Sequence, residues 1–247
     1  MKEFIYSRNA VYETLRAKRR QVFRLEIAQG VQEKGRLLDI LRMARERKIP
    51  VLSAPRAGMD KIHPAHQGVI LEAGGYPYCN LSDILDLAAR RGEAPFILIL
   101  DSLNDPQNFG ALLRTAEAVG VHGVILPLAR TVAVTPAVVN ASSGASEHLL
   151  IAQTNLAQAI DELRAADVWT VGLDQGPDSR DPSQVRLTGG LAIIVGSEGE
   201  GIRPLVKSKC DFLVRLPMQG KIESLNAAVA GSVALYLAYL VRQKTDN

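Results

Sequence analysis

The residues best suited to chemistry in this 247-residue chain are Asn108, Arg114, Glu198, Ser224 and Asn226, and they fall in three separate stretches. The first, from Asp101 to Ala116, reads D-S-L-N-D-P-Q-N-F-G-A-L-L-R-T-A. Asp105 before Pro106 is an ordinary helix opening, with Asp as the cap and Pro at the first helical position. That leaves Asn108, Gly110 and Arg114 unexplained; an arginine on a small-residue face just after a buried strand can be aimed at an anion. The second stretch, Gly196-Ser197-Glu198-Gly199-Glu200-Gly201, matches neither the G-x-G-x-x-G spacing of a dinucleotide loop nor the Gly-Lys-Ser/Thr ending of a P-loop. A carboxylate at Glu198 would repel phosphate. The third runs from Leu216 to Asn226. Its Ser224 and Asn226 read either as helix caps or as part of a site where backbone amides between two glycine turns hold an adenine and its ribose.

The elements that must position these residues alternate strand and helix. Phe96 to Asp101, Gly123 to Leu126, Val168 to Leu173, Leu191 to Val195 and Phe212 to Leu216 read as buried strands. Gln107 to Val119, Pro136 to Ser142, Asn155 to Ala166, Ile202 to Lys207 and Ile222 to Val241 read as helices. Apolar strands alternating with helices predict a mostly parallel sheet covered on both faces, with a ligand at the carboxyl ends of the strands. Ahead of them, Arg8 to Ala17 and Gly35 to Arg47 read as helices, the second with Leu37, Leu38, Leu41 and Ala44 inward. Val22 to Ala28, Pro50 to Ala54 and Gln67 to Ala73 read as strands. Gly74-Gly75-Tyr76-Pro77 is a turn cluster and the best domain boundary, and Leu81 to Arg91 is a helix within a linker. The predicted organisation is a small domain over 1–75, a linker over 76–94 and a larger domain over 95–247.

Composition narrows the function class. Hydrophobic residues make up 47% of the chain, enough for a core. Two distant cysteines, Cys79 and Cys210, offer neither a disulfide framework nor a zinc site, and a reducing cytoplasm is the simple inference. The run from Leu225 to Val241 falls short of the ~20 apolar residues of a membrane span. His63 and His66 have no further ligands near them for a metal, and His122 and His148 have no partner evident in the sequence. Residues 1–61 hold 15 Lys and Arg against 7 Asp and Glu, a net +8, whereas the remainder carries −5 to give +3 in all. Such a basic front predicts contact with a polyanion.

Together the three stretches resemble the SpoU, or TrmH, family of RNA ribose methyltransferases within the SPOUT superfamily. Asp101, Asp105, Pro106, Asn108, Gly110, Arg114, Thr115 and Ala116 match its first motif. Gly196, Glu198, Gly199 and Gly201 match its second, and Pro217, Met218, Gly220, Ser224, Leu225 and Asn226 its third. The front end, through Ile5 to Val11 and His66 to Val69, resembles the L30e-like RNA-binding domain of one branch. That branch includes the bacterial 23S rRNA guanosine 2′-O-methyltransferase acting on the peptidyl-transferase loop. Ser7 stands where the branch commonly has Gly, and Ala227 and Ala228 where it commonly has Val and Ser; these departures bear on the substrate more than on the reaction.

The resemblance implies an α/β fold: an L30e-like domain followed by a SPOUT domain tied in a deep trefoil knot. It implies a homodimer whose active sites are completed by both subunits, with S-adenosylmethionine as methyl donor, RNA as partner and no metal or membrane. Backbone around Gly196, Leu216 and Leu225 would hold the adenosyl group, with Ser197, Gly201 and Met218 beside it. Arg114 is the implied catalytic residue, acting as a base assisted by Ser224 and the RNA phosphate, or binding that phosphate and stabilising the developing alkoxide, since a guanidinium keeps its proton in proteins. Asn108, Glu198 and Asn226 would orient Arg114 and the ribose. A tRNA or other rRNA target, or a non-catalytic ribosome-assembly factor with the same fold, stands as the alternative.

Overall fold

The structure is a computed structural model that describes residues 2–222 and 224–245. It separates into two compact units, Met1–Pro77 with Ala133–His148, and Tyr78–Val132 with Leu149–Asn247.

In the first unit the order is β1 (Lys2–Tyr6), α1 (Arg8–Ala17), β2 (Val22–Ala28), α2 (Arg36–Glu46), β3 (Val51–Ala54), α3 (Arg56–Asp60) and β4 (Val69–Gly74). The sheet runs β1-β4-β2-β3, antiparallel except between β2 and β3. β1 and α3 lacked a clear signal in the sequence: β1 becomes a strand only because β4 pairs with it over Lys2 to Tyr6. On α2 the inward residues are Leu37, Ile40, Leu41 and Ala44, while Leu38 is 50% exposed. The 3.6-residue period explains this correction: Ile40 lies three residues after Leu37 on its face, and Leu38 is turned about 100° away. His66 is buried with a structural role, its Nδ1 accepting from the Gly68 amide at 2.8 Å and its Nε2 facing Asp60 at 3.1 Å.

The second unit begins with α4 (Leu81–Arg91), β5 (Phe96–Leu100), α5 (Pro106–Ala118) and β6 (Gly123–Pro127). After α6 (Pro136–Ala141), which packs in the first unit, come β7 (Leu150–Thr154), α7 (Leu156–Ala165), β8 (Val168–Leu173), β9 (Gly190–Val195), α8 (Pro204–Lys209), β10 (Phe212–Val214) and α9 (Ala227–Thr245). Six strands form one sheet in the order β10-β8-β9-β5-β6-β7, with every neighbouring pair parallel. β5 and β6 are buried at every position, as strands covered on both faces must be. Each fully buried Ile or Leu there contributes roughly 1.5–3 kcal/mol relative to exposure. β7 completes the edge and was missed in the sequence.

Two helix starts differ from expectation by two residues or more. α8 begins at Pro204 rather than Ile202, because proline fits the first helical position and not the interior, and Arg203 before it is extended at ψ 143°. α9 begins at Ala227 rather than Ile222, because Asn226 caps it: Asn226 Oδ1 accepts from the amides of Ala228 and Val229 at 2.9 and 3.2 Å. Glu223, inside the helix expected there, lies outside the described residues. No helix among the described residues is long and apolar enough to cross a membrane.

Histidine partners also emerge. In the first unit His148 Nε2 meets Glu13 Oε2 at 2.7 Å. In the second, buried His122 accepts the Phe96 amide at Nδ1 at 3.0 Å, so its Nε2 carries the proton and donates to Glu93 at 2.9 Å. These carboxylates are 135 and 29 residues away along the chain, which is why sequence neighbourhood gave no hint of them.

Candidate active site

Because all six strands run in one direction, the segments after β5, β8, β9 and β10 leave from the same edge of the sheet. Those segments carry the three chemically interesting stretches. β5 leads into α5, whose first turn is built as the sequence predicts: Asp105 accepts from the amides of Gln107 and Asn108 at 3.2 and 3.0 Å, and Pro106 occupies the first helical position.

The turn after β9 requires its glycines. A Cβ at position 196 would lie 2.1 Å from the Gly201 carbonyl carbon, so only glycine fits. Gly201 has φ +68°, in the left-handed region. Between them Ser197 and Gly201 exchange backbone hydrogen bonds at 3.1 and 3.0 Å, closing a small loop with Glu198 at its tip. Gly231 of α9 serves a different end, since a Cβ there would meet Leu112 at 2.6 Å and Val195 at 2.9 Å. Its absence lets α9 lie close against α5 and β9, and Thr115 and Ser232 share a hydrogen bond of 2.9 Å across that contact.

The three stretches meet at one carboxylate. Asn108 Nδ2 donates to Glu198 Oε1 at 2.7 Å, and Asn226 Nδ2 donates to the same oxygen and to Asn108 Oδ1, the latter at 3.2 Å. Asn226 thus caps α9 with its oxygen and joins the cluster with its nitrogen. The cap reading is met, and the cap fixes which way the amide faces. Arg114 lies on α5 and is exposed; among the described residues it has no hydrogen bond or ion pair.

Beside this cluster is a cavity of about 310 Å³. Gly196, Ser197, Glu198, Gly201, Leu216, Ser224 and Leu225 all line it. Met218 does not. Asn108, Arg114 and Asn226 also lie outside its wall. Asp174 and Gln175, after β8, are lining residues that sequence reasoning missed. The available signal was their position in the turn after an apolar strand on the binding edge. Burial opposes ionisation of Asp174, but the Lys207 ammonium at 2.8 Å and the amide of Gly176 outweigh it and lower its pKa. Among the described lining residues Asp174, Glu198 and Glu200 are acidic and none is basic. Such a wall disfavours a phosphate and suits a ligand bearing positive charge.

Neither cysteine forms a disulfide, and burial, with Asp211 second, pushes the Cys210 thiol up to about 12, far from a reactive thiolate. Among the described residues no group of three or more His, Cys, Asp or Glu could hold a metal ion.

Comparison with known proteins identifies the family. Residues 95–236 match the SpoU rRNA methylase family, and residues 4–79 match the RNA 2′-O ribose methyltransferase substrate-binding family. The chain is 40% identical over 242 residues to YacO of Bacillus subtilis, described as a TrmH family tRNA/rRNA methyltransferase, covering 97% of this chain and 96% of that one. A Staphylococcus haemolyticus protein of the same description is 39% identical over 247 residues, covering 98% and 97%. Among solved structures, the SpoU methyltransferase AviRb of Streptomyces viridochromogenes in complex with AdoMet shares the fold with TM-score 0.82 at 21% identity, over 100% of this chain and 91% of that one. An AdoMet-bound rRNA methyltransferase of Sinorhizobium meliloti gives 0.80 at 23%, over 97% and 87%. With matching models over both halves and whole-length relatives at this identity, the chain belongs to the SpoU rRNA methylase family and is an RNA methyltransferase.

Proposed function

We propose that the protein methylates a ribose 2′-hydroxyl in RNA with S-adenosylmethionine as donor, and that its target is a guanosine in the peptidyl-transferase loop of 23S rRNA. The observation that carries the reaction is the meeting of Asn108, Glu198 and Asn226 at the mouth of an acid-lined, glycine-walled cavity. The residues fit the donor. Gly196 lets the 196–201 loop close on its own backbone at the cavity wall, Leu216 and Leu225 supply apolar wall, and the carboxylates suit a sulfonium and an ammonium. When bound, S-adenosylmethionine supplies a methyl group already activated by its sulfonium.

The protein then has to position the ribose and manage the hydroxyl proton. Arg114 keeps its own proton, so it serves best by holding the RNA phosphate and stabilising the developing alkoxide. Ser224 at the cavity wall assists, and the Asn108–Glu198–Asn226 cluster orients these groups. The target assignment rests on the resemblance of the front end and on the +8 charge of residues 1–61. In this reading residues 1–75 are the L30e-like RNA-binding module, residues 95–247 carry the family's trefoil knot, and the reaction is cytoplasmic. Val229, Val233, Tyr236 and Leu240 form a stripe on α9, each 40–54% exposed, which supports a homodimer.

Substituting Arg114→Ala tests the assignment. Methyl transfer to 23S rRNA should fall by at least about 10²-fold while S-adenosylmethionine affinity holds. Near wild-type transfer would remove Arg114 from the mechanism.

A further inference from the structure

A second cavity, of about 280 Å³, opens on the same edge of the parallel sheet. Its wall comprises 127–130 at the end of β6, 154–157 from the end of β7 to the first turn of α7, and Arg203, Leu205 and Val206. The segment after β9 separates it from the donor cavity: residues 196–201 line one, Arg203 and its neighbours the other. The two cavities have opposite charge. Acidic side chains and no basic ones line the first; Arg130 and Arg203 and no acidic ones line the second.

Arg203 is fixed in place. Its Nε donates to Asp101 Oδ1 at 2.6 Å and its backbone amide to Asp101 Oδ2 at 2.8 Å, and Asp101 is fully buried. Neither bond uses the two terminal nitrogens of the guanidinium. A fork held by one edge loses little freedom when the other edge meets a planar or tetrahedral anion. Arg130 is exposed, at φ +60°, and among the described residues has no hydrogen bond or ion pair. Two guanidinium groups against the buried Asp101 leave one net positive charge, the complement of one phosphodiester. On the wall Leu128 is 72% and Leu205 63% exposed, apolar surface on which a base can lie.

We propose that this cavity is a second RNA subsite. It holds the phosphodiester of a nucleotide neighbouring the methylated one, with Arg130 and the Asp101-anchored Arg203 as donors and Leu128 and Leu205 beneath the base. The assignment rests on the RNA methyltransferase reading above.

The test uses the full chain with unmodified 23S rRNA and tRNA transcripts. Arg130→Ala should raise the KM for RNA about tenfold with little change in kcat, and lower the slope of log affinity against log salt by about 0.7–0.9. Its S-adenosylmethionine affinity, read by calorimetry, should stay at the wild-type value. Arg203→Lys keeps the backbone bond to Asp101 and the positive charge but loses the fork, and should raise the KM for RNA in the same direction while leaving the salt slope near the wild-type value. An Arg130→Ala protein with wild-type KM and salt slope overturns the subsite. Wild-type protein that methylates neither RNA would overturn the enzyme reading and the subsite with it, whereas wild-type methylation with an unaltered variant overturns the subsite alone.

Discussion

Asn108 donates from Nδ2 to Glu198 Oε1 at 2.7 Å, tying the first turn of α5 to the tip of the glycine loop 90 residues later. Asn226 donates to the same oxygen, so one carboxylate holds the ends of three segments in register. Glu198 and Asn226 are exposed, so the cluster contributes little to folding and its value lies in position.

Glu198→Ala should therefore separate stability from activity. Unfolding free energy should change by no more than about 1 kcal/mol, since the freed amides can turn to water. Methyl transfer should fall by about 10²-fold, with Glu198→Gln retaining more because it keeps an acceptor oxygen at the same place. A Glu198→Ala protein transferring methyl groups at the wild-type rate would show that the cluster is only a loop fastener.

A second relationship concerns stability. Arg20 donates from Nε and Nη2 to the two oxygens of Glu147, each at 2.9 Å, and from Nη1 to Glu3 at 2.5 Å. The side chains of Arg20 and Glu147 are 0% and 1% exposed. Burial works against the charged guanidinium, yet the hydrogen bonds and charge of Glu147, then of Glu3, raise its pKa above the ordinary arginine value. Removing one partner leaves a buried charge alone, so Arg20→Ala should lose about 3–5 kcal/mol in urea unfolding. A loss under about 1 kcal/mol would mean that water reaches Glu147 and the pair is not sealed.

The acid side of the stability profile should depend on His122. Burial lowers its pKa below the ordinary 6.5, against the opposing pull of Glu93. The folded protein therefore binds this proton less readily than the unfolded chain. The stabilisation is present above pH 6.5 and is lost as pH falls through the lower folded value. Urea midpoints at pH 7.5, 6.5 and 5.5 should decline on acidification, and His122→Asn should make the decline shallower by up to one proton, at most about 1.4 kcal/mol per pH unit. Parallel declines in both proteins would assign the effect to other groups.

Local patterns were legible without coordinates. α1, β2, α4 and β8 have the limits that periodicity, caps and glycine breaks predict, and the parallel sheet follows from runs such as Phe96 to Leu100. The pattern of glycine turns after apolar strands placed a site here, while the set Gly196, Ser197, Gly201, Leu216, Met218 and Leu225 came from the family resemblance; all but Met218 line one cavity. Strands with weak patterns of their own, β1 and β7, were not, because each is created by pairing with a partner far along the chain.

What the sequence determined by itself was local: which segments are strands or helices, where glycine must stand, and which side chains could do chemistry. Which groups share a charge or a proton was decided only by tertiary structure. Glu198 with Asn108, Asp101 with Arg203 and Arg20 with Glu147 are separated by 90, 102 and 127 residues, and the order in which strands stack brings such pairs within hydrogen-bond reach. Hydrogen bonds act over about 3 Å of space, a distance that residue spacing along a chain does not encode.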